Sequence, residues 1–328
     1  MRVITIDSGT TNTRAYLVED GRVLAAHSRG VGSRDTAIDG HNGKLTDGVR
    51  ELVGLLTAGA AGGKIAAIIA SGMITSNMGL CEIAHLAAPV SLAKLATSLR
   101  PRVIDAVSPA PILFVPGVKT VPATADRLCL DCDMMRGEET ETFGILAGSG
   151  LSGDTVLILP GSHSKFVEVD RDGTITGSVT TLAGELAWAI RNNTILANSL
   201  ARDFAGELDQ PALLKGAEHC RLHGLSKACF ATRIMHVLGD TGETARTSFL
   251  LGAIFYQDII ALSSRLKERQ ANIVIGGNRL FRDVYYFLLG RYAPAAWMVS
   301  RLDDQAVADA VPLGAWTLWR RYMATQGR

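Results

Sequence analysis

The chain has 328 residues and a net charge of +1, with 47% hydrophobic but only 6% aromatic residues. That length calls for two domains with a core each, and the composition describes an aliphatic, Ala- and Gly-rich α/β protein. Near-neutral charge without a basic block or interleaved aromatics argues against nucleic acid as a partner. With no signal-peptide pattern and no apolar run of the ~20 residues a membrane helix needs, a cytoplasmic protein without a membrane partner is expected.

Val3, Ile4 and Ile6 form a short β-type run that ends at Asp7. The small-residue turn Ser8–Thr13 follows. Its successive N–H groups make a concavity suited to phosphate, which assigns Gly9, Thr10, Thr11 and Asn12 to phosphate binding. Asp7 stands at the lip, where its most useful work is to hold Mg²⁺ through water. Ala15–Val18 resumes a strand, and Asp20-Gly21 predicts a hairpin into Val23–Ala26.

Ser28–Gly43 is polar and Gly-rich and reads as a loop. Thr46–Thr57 has apolar residues at helical spacing, and Ile65–Ala70 is a strand ending at Ser71-Gly72. Ligands of open α/β sheets collect beyond the carboxyl ends of strands, so Gly72–Leu80 should line a pocket, with Gly72, Met73, Ile74 and Asn77 as candidates. Leu92–Leu99 predicts a short helix broken by Pro101, and Ile112–Val115 a buried strand. Gly59–Lys64 fails as a Walker A motif, since its first Gly comes one position too late and Ile65 replaces Ser or Thr.

Five cysteines, an odd number, do not make a disulfide framework. Cys129 and Cys132 form a CxxC. Zinc would need two more ligands, and His219, Cys220, His223 and Cys229 fit no finger spacing, so free thiols are expected. Redox chemistry lacks a thioredoxin-like setting. Cys129–Gly144 leads into a helix. The GxGxxG of Gly148–Gly153 follows a helix and precedes a strand, the reverse of a dinucleotide site, and reads as a linker.

Leu157–Val169 repeats the N-terminal pattern of strand, Gly/Ser turn and strand. Gly9 precedes Gly21 by twelve residues and Gly161 precedes Gly173 by twelve, so the two copies lie 152 residues apart. Internal repetition of this kind suggests two related domains facing each other across a nucleotide. Gly161, Ser162, His163, Ser164 and Lys165 form the second phosphate turn. Asp7 has no counterpart there, so the metal-directing acid belongs to one half only. Lys165 supplies positive charge or is a solvated hairpin lysine, and His163 is more often structural than catalytic. Helices are predicted over Leu182–Asn198, with Leu182, Leu186, Ile190 and Leu196 on one face, then over Pro211–His223, Ser226–Leu238 and Thr244–Lys267. Ile273–Ile275, Gly276-Gly277 and Phe281–Leu289 read as strand, turn and helix. Trp297–Ser300 and a last helix over Asp304–Tyr322 follow.

The stretch IDSGTTNTR (6–14) resembles the first phosphate motif of sugar kinases in the actin and hexokinase superfamily, glycerol-kinase type. SGMITSNMGLCEIAHLAAP (71–89), MMRGEET (134–140) and LPGSHSKFV (159–167) narrow the resemblance to the 2-dehydro-3-deoxygalactonokinase family, over nearly the whole chain. Ser8 departs from the pattern, since many relatives carry Trp there. The resemblance implies an α/β fold of two duplicated actin-like ATPase (ribonuclease H-like) domains facing an interdomain cleft. These would be residues 1–148 and 149–303, with helix 304–322 packing back on the first. It implies ATP and Mg²⁺, Arg14 at the diphosphate, and Gly276 and Gly277 beneath the adenosine. The implied reaction is transfer to the 6-hydroxyl of 2-dehydro-3-deoxy-D-galactonate, a small-molecule sugar acid, with release of ADP.

A sugar acid demands a cation for its carboxylate, and Arg136 and Arg191 flank the motifs. Glu138 and Glu139 begin a helix, where a carboxylate is expected to stay ionised as a base must. The superfamily places the catalytic acid before a small residue, which selects Glu139 ahead of Thr140, with Glu138 as the alternative. Rival readings are a kinase for another sugar acid such as 2-keto-3-deoxygluconate, a nucleotide-gated chaperone-like protein, and a non-catalytic sensor of the same fold. A homodimer is an option the sequence leaves open.

Overall fold

The computed structural model describes residues 1–60, 63–151, 153–201, 204, 207–267 and 269–327. Ala61 and Gly62 of the Gly59–Lys64 run, and Ser152 of the linker, lie outside them. The chain divides into two compact units. One comprises Met1–Ser152, Glu168–Ser178 and Asp304–Arg328, and the other Gly153–Val167 and Val179–Asp303.

In the first unit, β1 (Arg2–Ser8), β2 (Thr13–Glu19) and β3 (Arg22–Arg29) form an antiparallel meander. Asp20 and Gly21 both have positive φ, +47° and +81°, the geometry a two-residue hairpin selects. Helices α1 (Ser33–Asp39) and α2 (Gly43–Gly59) lead to β4 (Ile65–Gly72), which pairs parallel with β1. After a 3-10 turn at Met73–Thr75 come β5 (Leu86–Ala87), α3 (Leu92–Thr97), β6 (Arg100–Ile104), β7 (Ser108–Phe114), β8 (Val118–Thr120), β9 (Asp133–Met135) and α4 (Glu138–Ser149). The main sheet has the order β3-β2-β1-β4-β7-β6, and β5-β8-β9 form a small one. Leu45, Val49, Leu52 and Leu56 recur at helical spacing along α2 and are buried against Ile4, Ile6 and Ile68. Each such side chain contributes roughly 1.5–3 kcal/mol by leaving water.

The second unit is built on β10 (Thr155–Leu159), β11 (Ser164–Val169) and β12 (Ile175–Thr181), although the outer part of the β11–β12 hairpin clusters with the first unit. Then come α5 (Ala183–Asn193), a 3-10 turn at Ile195–Ser199, α6 (Gln210–His223), α7 (Leu225–Val237), α8 (Glu243–Leu266), β13 (Ala271–Ile275), α9 (Arg279–Tyr292) and β14 (Trp297–Arg301). The sheet order β12-β11-β10-β13-β14 repeats β3-β2-β1-β4-β7 strand for strand, with parallel pairing at the corresponding steps. Ile158, Phe166, Leu251, Ile254, Phe255 and Ile273 are part of its core. The final helix, α10 (Asp304–Thr325), packs on α4 in the first unit. A Cβ on Gly144 would lie 1.7 Å from the Ala310 carbonyl oxygen, and one on Gly314 would lie 1.9 Å from that of Thr140. Only glycine lets two helices approach to backbone contact in this way.

Two sequence expectations are corrected, the 28–43 loop and the apolar face of α5. The stretch 28–43 is not all loop: α1 forms inside it, started by Asp35, whose carboxylate accepts the Gly32 N–H at 2.9 Å. Helix α3 ends at Thr97, short of Pro101 as expected, and Pro101 itself lies in β6, an edge strand, where a missing N–H is tolerated. Leu182 and Leu186 are exposed (59% and 38%). The buried face of α5 is made instead by Ala183, Gly184 and Ala187, because small residues let the helix settle onto its neighbours. Finally, α8 is long and apolar enough by length and composition to cross a membrane, but 67% of its apolar window is buried inside the fold, as in a core helix.

Candidate active site

Strand β1 carries Asp7 and Ser8 to the carboxyl end of the sheet, between Arg14 and Thr13 on β2 and Ser71 and Gly72 on β4. The buried Ser8 hydroxyl lies 3.0 Å from that of Thr13, which donates to the Val31 carbonyl at 2.8 Å. These two hydroxyls close the base of the turn, in the space a larger side chain at position 8 would need. The Gly9 N–H donates to the Asn12 carbonyl at 2.8 Å. The carbonyls of Gly9 and Thr10 point the other way, accepting from Ser33 N–H (3.2 Å) and Arg34 N–H (2.9 Å) at the start of α1. Among the described residues the amides of Thr10, Thr11 and Asn12 reach no acceptor. Three consecutive free amides on a solvent-facing turn form an anion nest.

The second turn is built on the same plan. Glu185 N–H, in the first turn of α5, donates to the Ser162 carbonyl at 2.8 Å. Gly184 presses against the Gly161 carbonyl, as Gly32 presses against that of Gly9. Gly32 and Gly184 are 152 residues apart, the spacing of the two turns. The repeat therefore extends to a pair of glycines that carry no chemistry and were not singled out in the sequence. His163 Nε2 meets Glu185 Oε2 at 2.9 Å, both side chains about half exposed. Ser164 is buried at the start of β11. Lys165 is not a solvated hairpin lysine. It is 7% exposed and donates to Thr180 Oγ1. Gly276 N–H donates to the Ile158 carbonyl at 2.8 Å. Gly277 has φ +71°, and a Cβ there would lie 2.5 Å from the Pro160 carbonyl oxygen, so only glycine fits beside this turn.

Helix α4 begins where two glycines stack. Gly72 (φ +85°) has no room for a Cβ, which would lie 2.4 Å from the Ser8 carbonyl oxygen and 3.3 Å from Asp7 Oδ1. A Cβ on Gly137 (φ +116°) would meet the Gly72 Cα at 3.2 Å. This contact sets the first turn of α4 beside the end of β1. Glu138 accepts the Arg136 N–H at 2.9 Å, and both Glu139 oxygens lie within 3.0 Å of the Gly137 N–H. Thr140 Oγ1 donates to Glu139 at 3.3 Å.

Electrostatics separate the two neighbouring glutamates. Burial pushes Asp7 up to about 6; Arg14 pulls it back, and Glu138 raises it further. Burial pushes Glu141 up to about 8, with Glu138 and Asp7 adding to the rise and Arg14 opposing it. Glu138 and Glu141, at i and i+3 on one helix face, thus share the field of Asp7 and Arg14. Glu141 was missed in the sequence, although its spacing from Glu138 was the available signal. Glu139 has no exposure and is turned onto its own backbone. Burial, and next the Glu138 charge, push it up to about 8 against its backbone N–H bonds and Arg136. Burial thus opposes the helix dipole at Glu139, where the sequence expectation is an ionised carboxylate.

The pocket loop is tightly tied. Ile74 is buried, its carbonyl accepting from Leu80 N–H (2.9 Å) and Cys81 N–H (3.3 Å), while Met73 is half-buried and Asn77 exposed. Arg136 donates to the Thr75 carbonyl (2.6 Å), Thr75 Oγ1 (2.5 Å) and the Ile83 carbonyl (3.1 Å), and its Nη2 lies 3.2 Å from His85 Nδ1. Its guanidinium thereby fastens the loop to the start of α4. Arg191 donates to the Ala201 carbonyl at 2.7 Å and lies over the Phe204 ring at 5.3 Å, inside the second unit.

Burial and neighbouring carboxylates push Asp7 and Glu141 up with only Arg14 opposing, a cost that a divalent cation beside them would relieve. Among the described residues no three His, Cys, Asp or Glu groups converge as direct ligands. The donor set therefore fits a cation held through water, as Mg²⁺ is commonly bound.

A family model described as 2-keto-3-deoxy-galactonokinase matches residues 7–310. The chain is 32% identical over 197 residues to a Rhizobium meliloti protein named "Probable 2-dehydro-3-deoxygalactonokinase DgoK1"; the match covers 60% of this chain and spans 58% of that relative's length. It is 26% identical over 289 residues to the 2-dehydro-3-deoxygalactonokinase of Escherichia coli, covering 85% and 86% of the two chains. Among solved structures it resembles a "putative 2-dehydro-3-deoxygalactonokinase protein" from Sinorhizobium meliloti, with TM-score 0.74, 23% identity, and 97% and 96% coverage. It also resembles the activator of the 2-hydroxyisocaproyl-CoA dehydratase from Clostridium difficile with bound ADPNP, with TM-score 0.54, 11% identity, and 100% and 98% coverage. These likenesses establish an actin-like ATPase fold, as the duplicated sheet order requires.

Proposed function

The chain belongs to the 2-keto-3-deoxy-galactonokinase family, and on that premise we propose that it transfers the γ-phosphoryl of ATP to the 6-hydroxyl of 2-dehydro-3-deoxy-D-galactonate, releasing ADP. The observation that carries the reading is the glycine contact that sets the first turn of α4, with Glu138, beside the end of β1, where Asp7 adjoins a turn with three free amides.

Phosphoryl transfer is mostly positioning and charge stabilisation. The Thr10–Asn12 amides hold terminal phosphate oxygens, and Arg14 adds a cation beside them. Asp7, with water, holds Mg²⁺, which when bound neutralises charge on the phosphates. Within the second unit, the Gly161–Lys165 turn is assigned to phosphate and the Gly276-Gly277 turn to adenosine. Glu138 receives the proton of the attacking hydroxyl, because its charge acts on Asp7 and Glu141 while Glu139 has no exposure and is turned onto the Gly137 N–H, with burial favouring its protonated form. Met73 and Asn77 contact the sugar acid, whereas Gly72 and Ile74, expected there from the sequence, are buried and hold the loop in shape. Arg136 shapes that loop, and its committed guanidinium disfavours a direct role at the carboxylate.

A coupled ADP-release assay over a panel of 2-keto-3-deoxy acids and simple sugars tests this. ADP release should depend on the galacto acid and yield its 6-phosphate. Turnover unchanged by every sugar acid in the panel would sink the proposal.

A further inference from the structure

Outside the residues used above, one carboxylate among the described residues of the second unit is buried. Asp258, on α8, is 3% exposed. Its Oδ2 accepts from Thr181 Oγ1 at 2.9 Å and from the Tyr285 hydroxyl. Tyr285 is itself without exposure, packed edge-on against Phe166 and Phe255 at centroid distances of 6.0 and 5.1 Å. Placing an unpaired carboxylate there would be strongly unfavourable, so the two hydroxyls explain how Asp258 is tolerated but not what it is for.

What it joins supplies the answer. Thr181 ends β12 and leads through Leu182 into the first turn of α5. That turn carries Gly184, pressed on the Gly161 carbonyl, and the Glu185 N–H bonded to Ser162. Tyr285 belongs to α9, whose N-cap Asn278 directly follows Gly276-Gly277. Gly277 in turn packs on Pro160, the residue before Gly161. One oxygen of Asp258 therefore bridges the end of β12, which leads into the helix that backs the phosphate turn, and the helix that follows the diglycine.

We propose that Asp258 is a positioning residue for nucleotide binding: through Thr181 and Tyr285 it fixes α5 and α9 against each other, and with them the Gly161–Ser164 turn and the Gly276-Gly277 turn. The proposal rests on the kinase reading of this unit. Burial pushes Asp258 up to about 6, with the two hydroxyl donors pulling it down, as expected of a carboxylate whose stabilisation is entirely these two bonds.

The test is calorimetric titration of the full chain with ADP, which needs no sugar acid. Thr181→Val and Tyr285→Phe should each weaken ADP binding about tenfold, since hydrogen bonds to a charged group are among the stronger ones. The double variant should be little weaker than either single one, because breaking either bond already breaks the bridge. The KM for the sugar acid at saturating ATP should stay unchanged, which general loosening of the protein would not leave intact. Asp258→Ala should lose binding and Asp258→Asn should recover most of it. If Asp258→Ala does not fold, the Thr181 and Tyr285 variants decide alone. Single variants that bind ADP like the parent, or losses that simply multiply in the double variant, overturn the bridge. A parent chain that binds no ADP overturns the kinase reading and the bridge with it.

Discussion

Gly184 stands so close over Gly161 that a Cβ on it would lie 2.0 Å from the Gly161 carbonyl oxygen. In the other half of the chain Gly32 stands over Gly9 in the same way, at 2.5 Å. In both halves a helix start is pushed against the back of a phosphate-type turn. That contact orients the carbonyls inward and leaves the amides facing out. Real Cβ atoms do not tolerate such distances from backbone, so the turn would have to move.

Gly32→Ala and Gly184→Ala should therefore each displace the neighbouring turn and weaken ATP binding by at least about tenfold. Overpacking typically costs about 1–3 kcal/mol, so a lower melting temperature should accompany the loss. Gly54→Ala, at a helix position with open space around it, is the control and should bind normally. Titration of ATP into each variant checks this. Normal binding by both Gly32→Ala and Gly184→Ala would show that the turns are not held from behind.

Asp7→Asn keeps the size of the side chain and removes its charge. Turnover should fall by about 10² or more, the range seen when one charge-stabilising group is lost, while ATP affinity changes much less. Turnover as a function of Mg²⁺ concentration is the measurement. Full activity at saturating Mg²⁺ would remove Asp7 from any metal-directing part.

Much of this was legible in the sequence because it rests on local rules. The two hairpins announce themselves through apolar runs, small-residue turns and Asp-Gly, and the long helices through apolar periodicity. Helix α1 was not, since it has seven residues and only Ser33 and Thr36 of its side chains are buried. Its start depends on Gly32 meeting Gly9, a tertiary contact no window of residues contains. The acid group shows the same limit. Glu138 and Glu139 were both visible, but which one faces Asp7 depends on the Gly72–Gly137 stacking that rotates α4. For Arg136 the sequence leaves open a substrate carboxylate or a structural partner, and the acceptors that decide, Thr75 and Ile83, lie more than fifty residues earlier. Hydrogen bonds across such separations leave no local trace.

The two glutamates should separate kinetically. General-base catalysis typically contributes about 10²–10⁴-fold, so Glu138→Gln should lose that much in turnover while still binding nucleotide. Glu139→Gln preserves an acceptor for the Gly137 N–H and resembles the protonated form, and should keep turnover within about tenfold of the parent. Single-turnover rates with saturating ATP and sugar acid would tell them apart. The reverse pattern, with Glu139→Gln dead and Glu138→Gln active, would return the base to Glu139.

The same substitution has a signature in stability. Glu139 is raised from 4.5 to about 8 in the folded chain. Between those values the folded state keeps a proton that the unfolded state has released, so stability falls as pH rises through this window. It is fully present below about 4.5 and lost as pH passes about 8. Asp7 and Glu141 are raised too and act in the same direction. Each pKa unit corresponds to about 1.4 kcal/mol, so Glu139 alone accounts for at most a few kcal/mol. Thermal melts of the nucleotide-free protein should show a lower melting temperature at pH 8 than at pH 5. Glu139→Gln cannot ionise, so its melting temperature should decline less over that interval and exceed the parent's at pH 8. A parent whose stability rises from pH 5 to pH 8, or a Glu139→Gln variant that follows the parent's slope, would mean that Glu139 is already ionised in the fold. The argument for Glu138 as the base would then lose its main support.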